Sequence, residues 1–183
     1  LLCVNLLKLM PQKNRRDKLH NDHFKKMINL DKTKITLGSY SSYEWANDPK
    51  HLIFSLSRYK FVSKMLNGKS NVLEIGAGDG FKSRVVDAEV KKLDLCDVTL
   101  SSKNQFKASS INKNDYFIHD FTKKKFYKKY DAIYALDVIE HIKRSQCSKF
   151  INNIKNSIKP RGILIIGCPS QSSQKYASKY SKK

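Results

Sequence analysis

The sequence predicts an α/β protein built on a mainly parallel sheet. From residue 72 onward, short apolar strand-like runs alternate with helical patterns, which is typical of parallel strands joined by right-handed crossovers. The first of these runs leads into a cluster of three glycines within the segment VLEIGAGDG, residues 72–80. The chain has 183 residues, 40% of them hydrophobic and 28% charged, so it can form one domain with a sizeable core.

The region before the first strand divides into three parts. Residues 1–36 are basic and are predicted to form an N-terminal extension, and residues 37–49 read as a turn-rich aromatic segment. Asp48 is a helix N-cap residue, and Pro49 occupies the first helical position after it. Apolar residues then recur at helical spacing, so we predict a leading helix over 49–67 that ends at an Asn-Gly pair.

Five strands are expected after this helix, and the pattern gives no sign of a sixth. They cover residues 72–75, 90–95, 115–120, 130–136 and 162–168. A short helix is expected over 81–90, a poor one over 98–108 and a long amphipathic one over 138–158. The main domain is therefore predicted to span 37–170, followed by a low-complexity tail over 171–183.

Charge leaves two interpretations open. The chain carries 36 Lys and Arg against 16 Asp and Glu, a net charge of +20. Such a charge favours nucleic acid or another polyanion as a partner. However, nearly all of the excess of basic residues is Lys, which is the residue that more often serves only to keep a surface solvated. The abundance of Lys together with Asn and Ile is also what a compositional bias of the whole sequence would produce.

Cellular location is predicted from the cysteines and the apolar runs. The four cysteines lie far apart, without a CxxC pair, at Cys3, Cys96, Cys147 and Cys168. This pattern favours free thiols in a reducing cytoplasm. No apolar run approaches the roughly 20 residues of a spanning helix, and we identify no secretory signal. The chain does not begin with Met, so it is interpreted as a fragment or as lacking its true start.

The glycine cluster fits neither of the two common phosphate-binding loops. A dinucleotide loop needs GxGxxG, but here Phe81 replaces the third glycine, which stands instead at Gly80. A P-loop needs Gly-Lys-Ser/Thr at the end of its glycine-rich loop, and none follows the glycines here. Gly76 and Gly78 still allow a ligand to approach the backbone closely. Glu74, two residues ahead of the first glycine, suits a ligand that carries a positive amine rather than a pyrophosphate.

Acidic residues follow on the next strands. Asp94 lies 20 residues after Glu74, where an acid on the adjacent strand can accept from both ribose hydroxyls of a nucleoside. Asp120 can accept from an adenine amino group, and Phe121 offers a backbone N–H and an aromatic wall. These residues predict a nucleoside site at the carboxyl edge of the sheet.

The motifs in order resemble those of the class I S-adenosylmethionine-dependent methyltransferases, within a type 11/12-like group. The segments that carry the resemblance are VLEIGAGDG, LDL, HDF, YDAIYALDVIEHI and IKPRGILIIGCPS, which span about residues 50–170. The resemblance implies a Rossmann-like three-layer sandwich with strand order 3-2-1-4-5. Such sheets usually have seven strands, so the sixth and seventh are missing here; we expect a C-terminally truncated chain with the fifth strand as an exposed edge.

The same resemblance implies S-adenosylmethionine as the cofactor and a set of cofactor-binding residues. The glycines would meet its methionine part, Glu74 would lie near its ammonium and Asp94 would hold its ribose. The full set is Arg58, Glu74, Gly76, Ala77, Gly78, Asp94, Leu95, Asp120, Phe121, Leu136 and Asp137. Arg58 is either the partner of the cofactor's carboxylate or a surface residue. Cys96 and Asp97 are interpreted as ordinary residues.

Catalysis is assigned to the segment after the fourth strand. An oxygen acceptor must lose a proton, and His141 is the natural base, with Glu140 beside it. These two residues also resemble the ubiquinone-pathway O-methyltransferases, in which acids and a His at this place can bind a divalent metal together with a residue such as Asp137. Glu140 can equally be a first-turn acid favoured by a helix dipole, and no metal is predicted.

The expected function is methyl transfer from S-adenosylmethionine to an oxygen of a small-molecule, glycan or lipid-linked acceptor. Two segments, DPKHLIFSLSRYKFVSKML and IGCPSQSSQKYAS, also resemble bacterial and phage methyltransferases linked to cell-surface polysaccharide genes. A nucleic-acid methyltransferase is an alternative because of the charge, but [DNS]PP[YFW] does not follow the fourth strand and no Pro-Cys nucleophile is present. A truncated, non-catalytic cofactor-binding protein is the other alternative. The sequence does not predict an oligomeric state.

Overall fold

The computed structural model describes residues 37–108, 114–172 and 175. The expected basic extension over 1–36 lies outside the described residues, and so does most of the tail over 171–183.

The described residues form a five-stranded, wholly parallel sheet. Its strands are β1 Val72–Ile75, β2 Leu93–Asp97, β3 Tyr116–Ile118, β4 Tyr130–Leu136 and β5 Ile158–Gly167. They lie in the order β3-β2-β1-β4-β5, which confirms the predicted order. Leu73 of the central β1 pairs with Asp94 on one side and with Ile133 on the other. The order of the strands therefore reverses between β1 and β4.

Helices flank this sheet. They are α1 Ser39–Asn47, α2 Pro49–Met65, α3 Arg84–Asp87, α4 Leu100–Ala108 and α5 Arg144–Lys155, with a 3₁₀ turn over Ile139–His141. One buried cluster joins α2 to the sheet through Tyr59 and Val62, and a second joins α5 to it through Phe150 and Ile154. Because each cluster holds a different set of strand residues, the core has two layers and the molecule is a three-layer sandwich. This confirms the predicted fold class.

The segment before the leading helix differs from the prediction. Residues 37–49 were expected to be turn-rich, but α1 occupies most of them. Its one buried residue is Ser41, whose backbone N–H and hydroxyl both donate to the Asp79 carboxylate, at 2.8 and 2.9 Å. A contact from the glycine loop thus stabilises a helix that lacks an apolar stripe. The predicted cap of α2 is confirmed, since Asp48 accepts from the His51 N–H and Pro49 opens the helix.

The predicted continuous helix over 138–158 is wrong. A 3₁₀ turn ends at His141, Ile142 is extended, and α5 begins only at Arg144. The far end of this segment is already sheet, because β5 starts at Ile158. Pro160 lies within β5, where the pairing with β4 is irregular. A bulge at this place tolerates a residue without an N–H, so the strand extends past the proline that had been expected to precede it.

Candidate functional site

A cleft of about 1310 Å³ opens at the carboxyl ends of the strands. Residues at or just after the carboxyl ends of β1, β2, β3 and β4 all contribute to its wall, among them Gly76, Asp97, Asp120 and Asp137. This is where open parallel sheets bind ligands, beside the point at which the strand order reverses. The volume exceeds that of a typical single-ligand pocket, about 300–1,000 Å³, so the cleft has room for a cofactor and an acceptor together.

The glycine loop forms the floor of the cleft. Gly76 has φ 78° and Gly78 has φ 56°, which are backbone conformations that favour glycine. A Cβ on Gly76 would overlap the Val138 side chain, whereas one on Gly78 would meet only the Tyr40 ring, at 3.9 Å. Gly76 therefore allows β1 and the segment after β4 to approach closely, and Gly78 leaves its backbone open to the cleft.

Arg58 and Asp137 form an ion pair in the cleft wall. Arg58 extends from α2 and Asp137 follows β4, where it adopts a left-handed φ of 56°. Arg58 Nε and Asp137 Oδ1 are both buried and have no hydrogen-bond partner among the described residues. Burial raises the pKa of the Asp137 carboxyl, although the Arg58 charge acts to lower it. An ion pair with one donor atom and one acceptor atom left unbonded is what an α-amino acid, with its carboxylate and ammonium, would complete.

Glu74 does not lie in the wall of the cleft, which corrects its predicted place beside a ligand ammonium. The side chain is 1% exposed, and its carboxylate accepts from the Tyr59 hydroxyl at 2.8 Å and the Tyr134 hydroxyl at 2.6 Å. Burial raises the pKa of this carboxyl. Glu74 thus joins α2 to β1 and β4 beneath the site, and Asp137 is the carboxylate that faces the cleft.

Asp94 is also absent from the described lining of the cleft. Its buried carboxylate accepts from the Tyr130 hydroxyl at 2.8 Å and from Lys128 Nζ at 3.2 Å. Leu95 is 1% exposed and belongs to the core. The acid that reaches the cleft is Asp97, which accepts from the Gly78 N–H at 3.1 Å. The signal for Asp97 was its position as the last acid before the helical pattern, because β2 runs two residues further than the sequence predicted.

Asp120 and Phe121 line the cleft as expected. Asp120 Oδ1 accepts from the Thr122 N–H at 2.9 Å and hydroxyl at 2.6 Å. Burial acts to raise the pKa of Asp120, but these hydrogen bonds and Lys123 outweigh it, so the pKa is lowered and the carboxylate is kept ionised. Phe121 packs against the ring of His119, a further lining residue that the sequence analysis did not identify. Burial lowers the pKa of His119.

The segment after β4 places Leu136, Glu140 and His141 in the lining together with Asp137. Glu140 is close enough to Asp137 to act on its pKa, which it raises. Within residues 37–108, 114–172 and 175, however, no three His, Cys, Asp or Glu side chains converge in a way that could hold a metal ion. The structure thus gives the metal alternative for these three residues no support.

Helix α1 covers part of the cleft, and this was missed from the sequence. Tyr40, Tyr43 and Glu44 all line it. Lys82, from the segment after the glycine loop, pairs with Glu44 at 2.8 Å, and His51 Nε2 lies 3.7 Å from the same carboxylate. Besides the Ser41–Asp79 contact, this cluster fastens α1 to the glycine-loop side of the site. No local pattern in residues 37–49 predicted it, because the contacts are with residues distant in the sequence.

Known proteins resemble this chain in sequence. A family model described as "Methyltransferase domain" matches residues 44–181. A ubiquinone biosynthesis O-methyltransferase of Rickettsia canadensis (strain McKiel) is 25% identical, over 82% of this chain and 68% of the relative. The enzyme of the same name from Rickettsia felis is 24% identical, over 82% of this chain and 66% of the relative. The chain thus spans about two thirds of the length of these curated relatives.

Solved structures share the fold. A complex titled "DhpI-SAM-HEP complex" has a TM-score of 0.58 at 14% identity, covering 76% of this chain and 66% of its own. The N-methyltransferase NodS from Bradyrhizobium japonicum WM9, in complex with S-adenosyl-L-homocysteine, has a TM-score of 0.53 at 20% identity, covering 69% of this chain and 70% of its own. These likenesses show that the chain has the fold of the class I S-adenosylmethionine-dependent methyltransferases, and the family match over most of its length shows that it belongs to the methyltransferase domain family.

Proposed function

We propose that this chain binds S-adenosylmethionine in the cleft and transfers its methyl group to an oxygen of a small-molecule, glycan or lipid-linked acceptor. The observation that carries the proposal is the half-buried Arg58–Asp137 pair with its two buried, unbonded atoms, beside the open glycine loop. The relatives named O-methyltransferases favour oxygen. Structural neighbours include an N-methyltransferase and an amino pentose methyltransferase, which favour a small or sugar-like acceptor.

The residues of the cleft fit each part of the cofactor. The Arg58 guanidinium would hold the carboxylate, and Asp137 Oδ1 would accept from the ammonium. The backbone of Gly76 and Gly78 allows the methionine chain to approach. The Asp97 carboxylate, fixed beside the Gly78 N–H, would accept from the ribose hydroxyls, in the role that had been expected of Asp94. The remaining cofactor-binding set is Ala77, Asp120, Phe121 and Leu136, all of which line the cleft.

The chemistry required of the chain is alignment and proton removal. S-adenosylmethionine supplies a methyl group on a sulfonium, which an acceptor oxygen attacks in line. The chain must hold that oxygen toward the methyl group and accept its proton. His141 lines the cleft and is by residue type the natural proton acceptor, and Glu140 is the other proton acceptor in the same turn.

Replacing Arg58 tests the amino acid end of the site. In Arg58→Gln we expect the affinity for S-adenosylhomocysteine to fall at least about tenfold, because a charge-assisted hydrogen bond to the carboxylate is lost. The affinity for methylthioadenosine, which lacks the amino acid group, should stay within about twofold. Both are measured by calorimetry, and Lys60→Gln on the exposed side of α2 is the matched control. An equal loss for both ligands, or no loss for either, would contradict the assignment.

A nucleic-acid acceptor is the second candidate, and one surface loop supports it. The loop between β3 and β4 carries exposed Lys123, Lys124, Lys125 and Lys129, with Tyr127 72% exposed among them. Lysines around an exposed aromatic ring suit single-stranded nucleic acid. If this candidate holds, RNA affinity falls steeply with added salt, and changing the three consecutive lysines to Gln weakens it further. Binding that is weak at low salt, or unchanged in that variant, removes the candidate.

A non-catalytic cofactor-binding role is a third candidate, and turnover of S-adenosylmethionine with any acceptor eliminates it.

We retain the cytoplasm as the proposed location, which is supported by the free thiols of Cys96, Cys147 and Cys168.

A further inference from the structure

Helix α2 has apolar residues on two faces, although only one of them packs on the core. Its buried face carries Leu52, Tyr59 and Val62. On the other side, Ile53, Phe54, Phe61 and Met65 are each more than half exposed. At 100° per residue these four fall within an arc of about 120°. A helix that is apolar all round is normally buried on all sides, so this exposed face is unusual for a protein surface in water.

Helix α1 extends the exposed apolar area. Tyr40, Tyr43 and Trp45 are each 56–60% exposed. We call the seven side chains of both helices the α1–α2 surface: Tyr40, Tyr43, Trp45, Ile53, Phe54, Phe61 and Met65. Three of them, Tyr40, Tyr43 and Phe54, also line the cleft. The surface therefore borders the mouth of the candidate active site.

The charges around this surface are positive. Helix α2 contains no Asp or Glu but has Lys50, Lys60 and Lys64. Lys64 pairs with Glu89, whereas Lys50 and Lys60 belong to none of the ion pairs seen in the described part of the chain. The acid of α1 is Glu44, and Lys82 neutralises it inside the cleft. Exposed aromatic and aliphatic side chains are thus combined with unneutralised lysines.

We propose that the α1–α2 surface docks on an anionic lipid bilayer. Aromatic and aliphatic side chains enter the boundary between headgroups and acyl chains, while lysines contact lipid phosphates. A second copy of the chain is the less favourable occupant, because a symmetric contact would bring the same lysines together between two chains of net charge +20. No described helix is long and apolar enough to span a membrane, so the docking is to its surface.

Docking in this way puts the mouth of the cleft at the lipid interface. An acceptor carried by the bilayer can then reach the cleft without crossing water. This consequence for the acceptor rests on the proposed function, but the docking itself does not.

Vesicle co-sedimentation of the full chain tests the docking. We expect at least about fivefold more chain to sediment with vesicles of phosphatidylcholine and phosphatidylglycerol in equal parts than with phosphatidylcholine alone. In Phe61→Ser/Met65→Ser, neither of whose positions lines the cleft, the affinity for the mixed vesicles should fall at least about tenfold. The matched control is Leu100→Ser/Ile118→Ser, which removes two comparably exposed apolar side chains outside both the α1–α2 surface and the cleft, and it should bind like the wild type.

Fluorescence reports which part of the chain is in contact. Trp45 is the single tryptophan of the sequence and belongs to the α1–α2 surface, so its emission should shift to the blue on vesicle binding. Absence of binding to the mixed vesicles, equal binding of both double variants, or binding with unchanged emission would each overturn the proposal. Because no cofactor is present, these outcomes are independent of whether the chain binds S-adenosylhomocysteine in calorimetry.

Discussion

At the scale of single residues, Asp94 and Asp97 show that the position of an acid along a strand decides whether it bonds within the core or reaches the cleft. The sequence LDLCD offers two acids three residues apart on β2. Asp94 is in the interior of the strand and bonds with Tyr130, whereas Asp97 is the last residue and reaches the cleft. The predicted strand ended at Leu95, so Asp94 rather than Asp97 was expected to reach the cleft. A ligand residue in a parallel sheet belongs at the strand's carboxyl end, so the strand's length decides the assignment.

The effect of burial on Glu74 can be tested through the pH dependence of the free energy of unfolding. Burial raises its pKa above the ordinary value of 4.5, so its contribution to stability is fully present below the unfolded pKa and is lost as pH rises through the folded pKa. Glu74→Gln keeps a polar partner for both tyrosines but cannot ionise. We therefore expect the free energy of unfolding of the wild type, relative to this variant, to decrease from acidic to mildly alkaline pH in urea titrations.

Glu89 supplies a control with the opposite sign. The hydrogen bond from Lys64 is the main cause that lowers the pKa of this half-buried carboxyl, so its contribution to stability is present above the unfolded pKa and is lost as pH falls through the folded pKa. Relative to Glu89→Gln, the wild type should therefore lose stability toward acid pH. If stability relative to both variants shows the same trend with pH, burial is not what shifts the pKa of Glu74.

At the scale of elements, the source of each element's stability decides whether its bounds can be predicted from the sequence. Strands β1 and β4 have the bounds that apolar runs predicted, because burial on both faces shows directly in their composition. Helix α1 has no such pattern, and it depends on the contact of Ser41 with Asp79. The 3₁₀ turn and α5 were merged into one predicted helix, since helical spacing continues across the extended Ile142.

Gly38→Ala tests the attachment of α1. A Cβ at this N-cap residue would overlap the Asp79 side chain, which is held by its bonds to Ser41. We expect α1 to be displaced at a cost of about 1–3 kcal/mol in stability, with faster amide exchange over residues 39–47 and weaker S-adenosylhomocysteine binding. Hydrogen-exchange mass spectrometry measures the first effect and calorimetry the second.

Gly68→Ala is the control for this change. Gly68 has φ 74° and nothing near the added Cβ, so the substitution strains the backbone by about 1 kcal/mol without touching α1. If exchange over residues 39–47 rises equally in both variants, general destabilisation rather than the Asp79 contact explains the result.

At the scale of the whole molecule, topology brings the site together. The strand order reverses between β1 and β4, so the glycine loop after one and Asp137 after the other line the same cleft. The motif order predicted this arrangement and most of the lining, including Arg58, Asp120 and His141. It did not predict that Glu74 is turned into the core, or that α1 covers the cleft. Both depend on side chains that meet only in the folded chain.

The central claim is that this cleft binds the cofactor, and calorimetry with S-adenosylhomocysteine on matched carboxylate variants tests it most directly. We predict that the folded wild type binds, that Asp97→Asn binds at least about tenfold more weakly, and that Asp94→Asn, which retains polar contacts to Tyr130, stays within about twofold. A folded wild type that does not bind, or an Asp94 variant that loses more affinity than the Asp97 variant, would contradict the account.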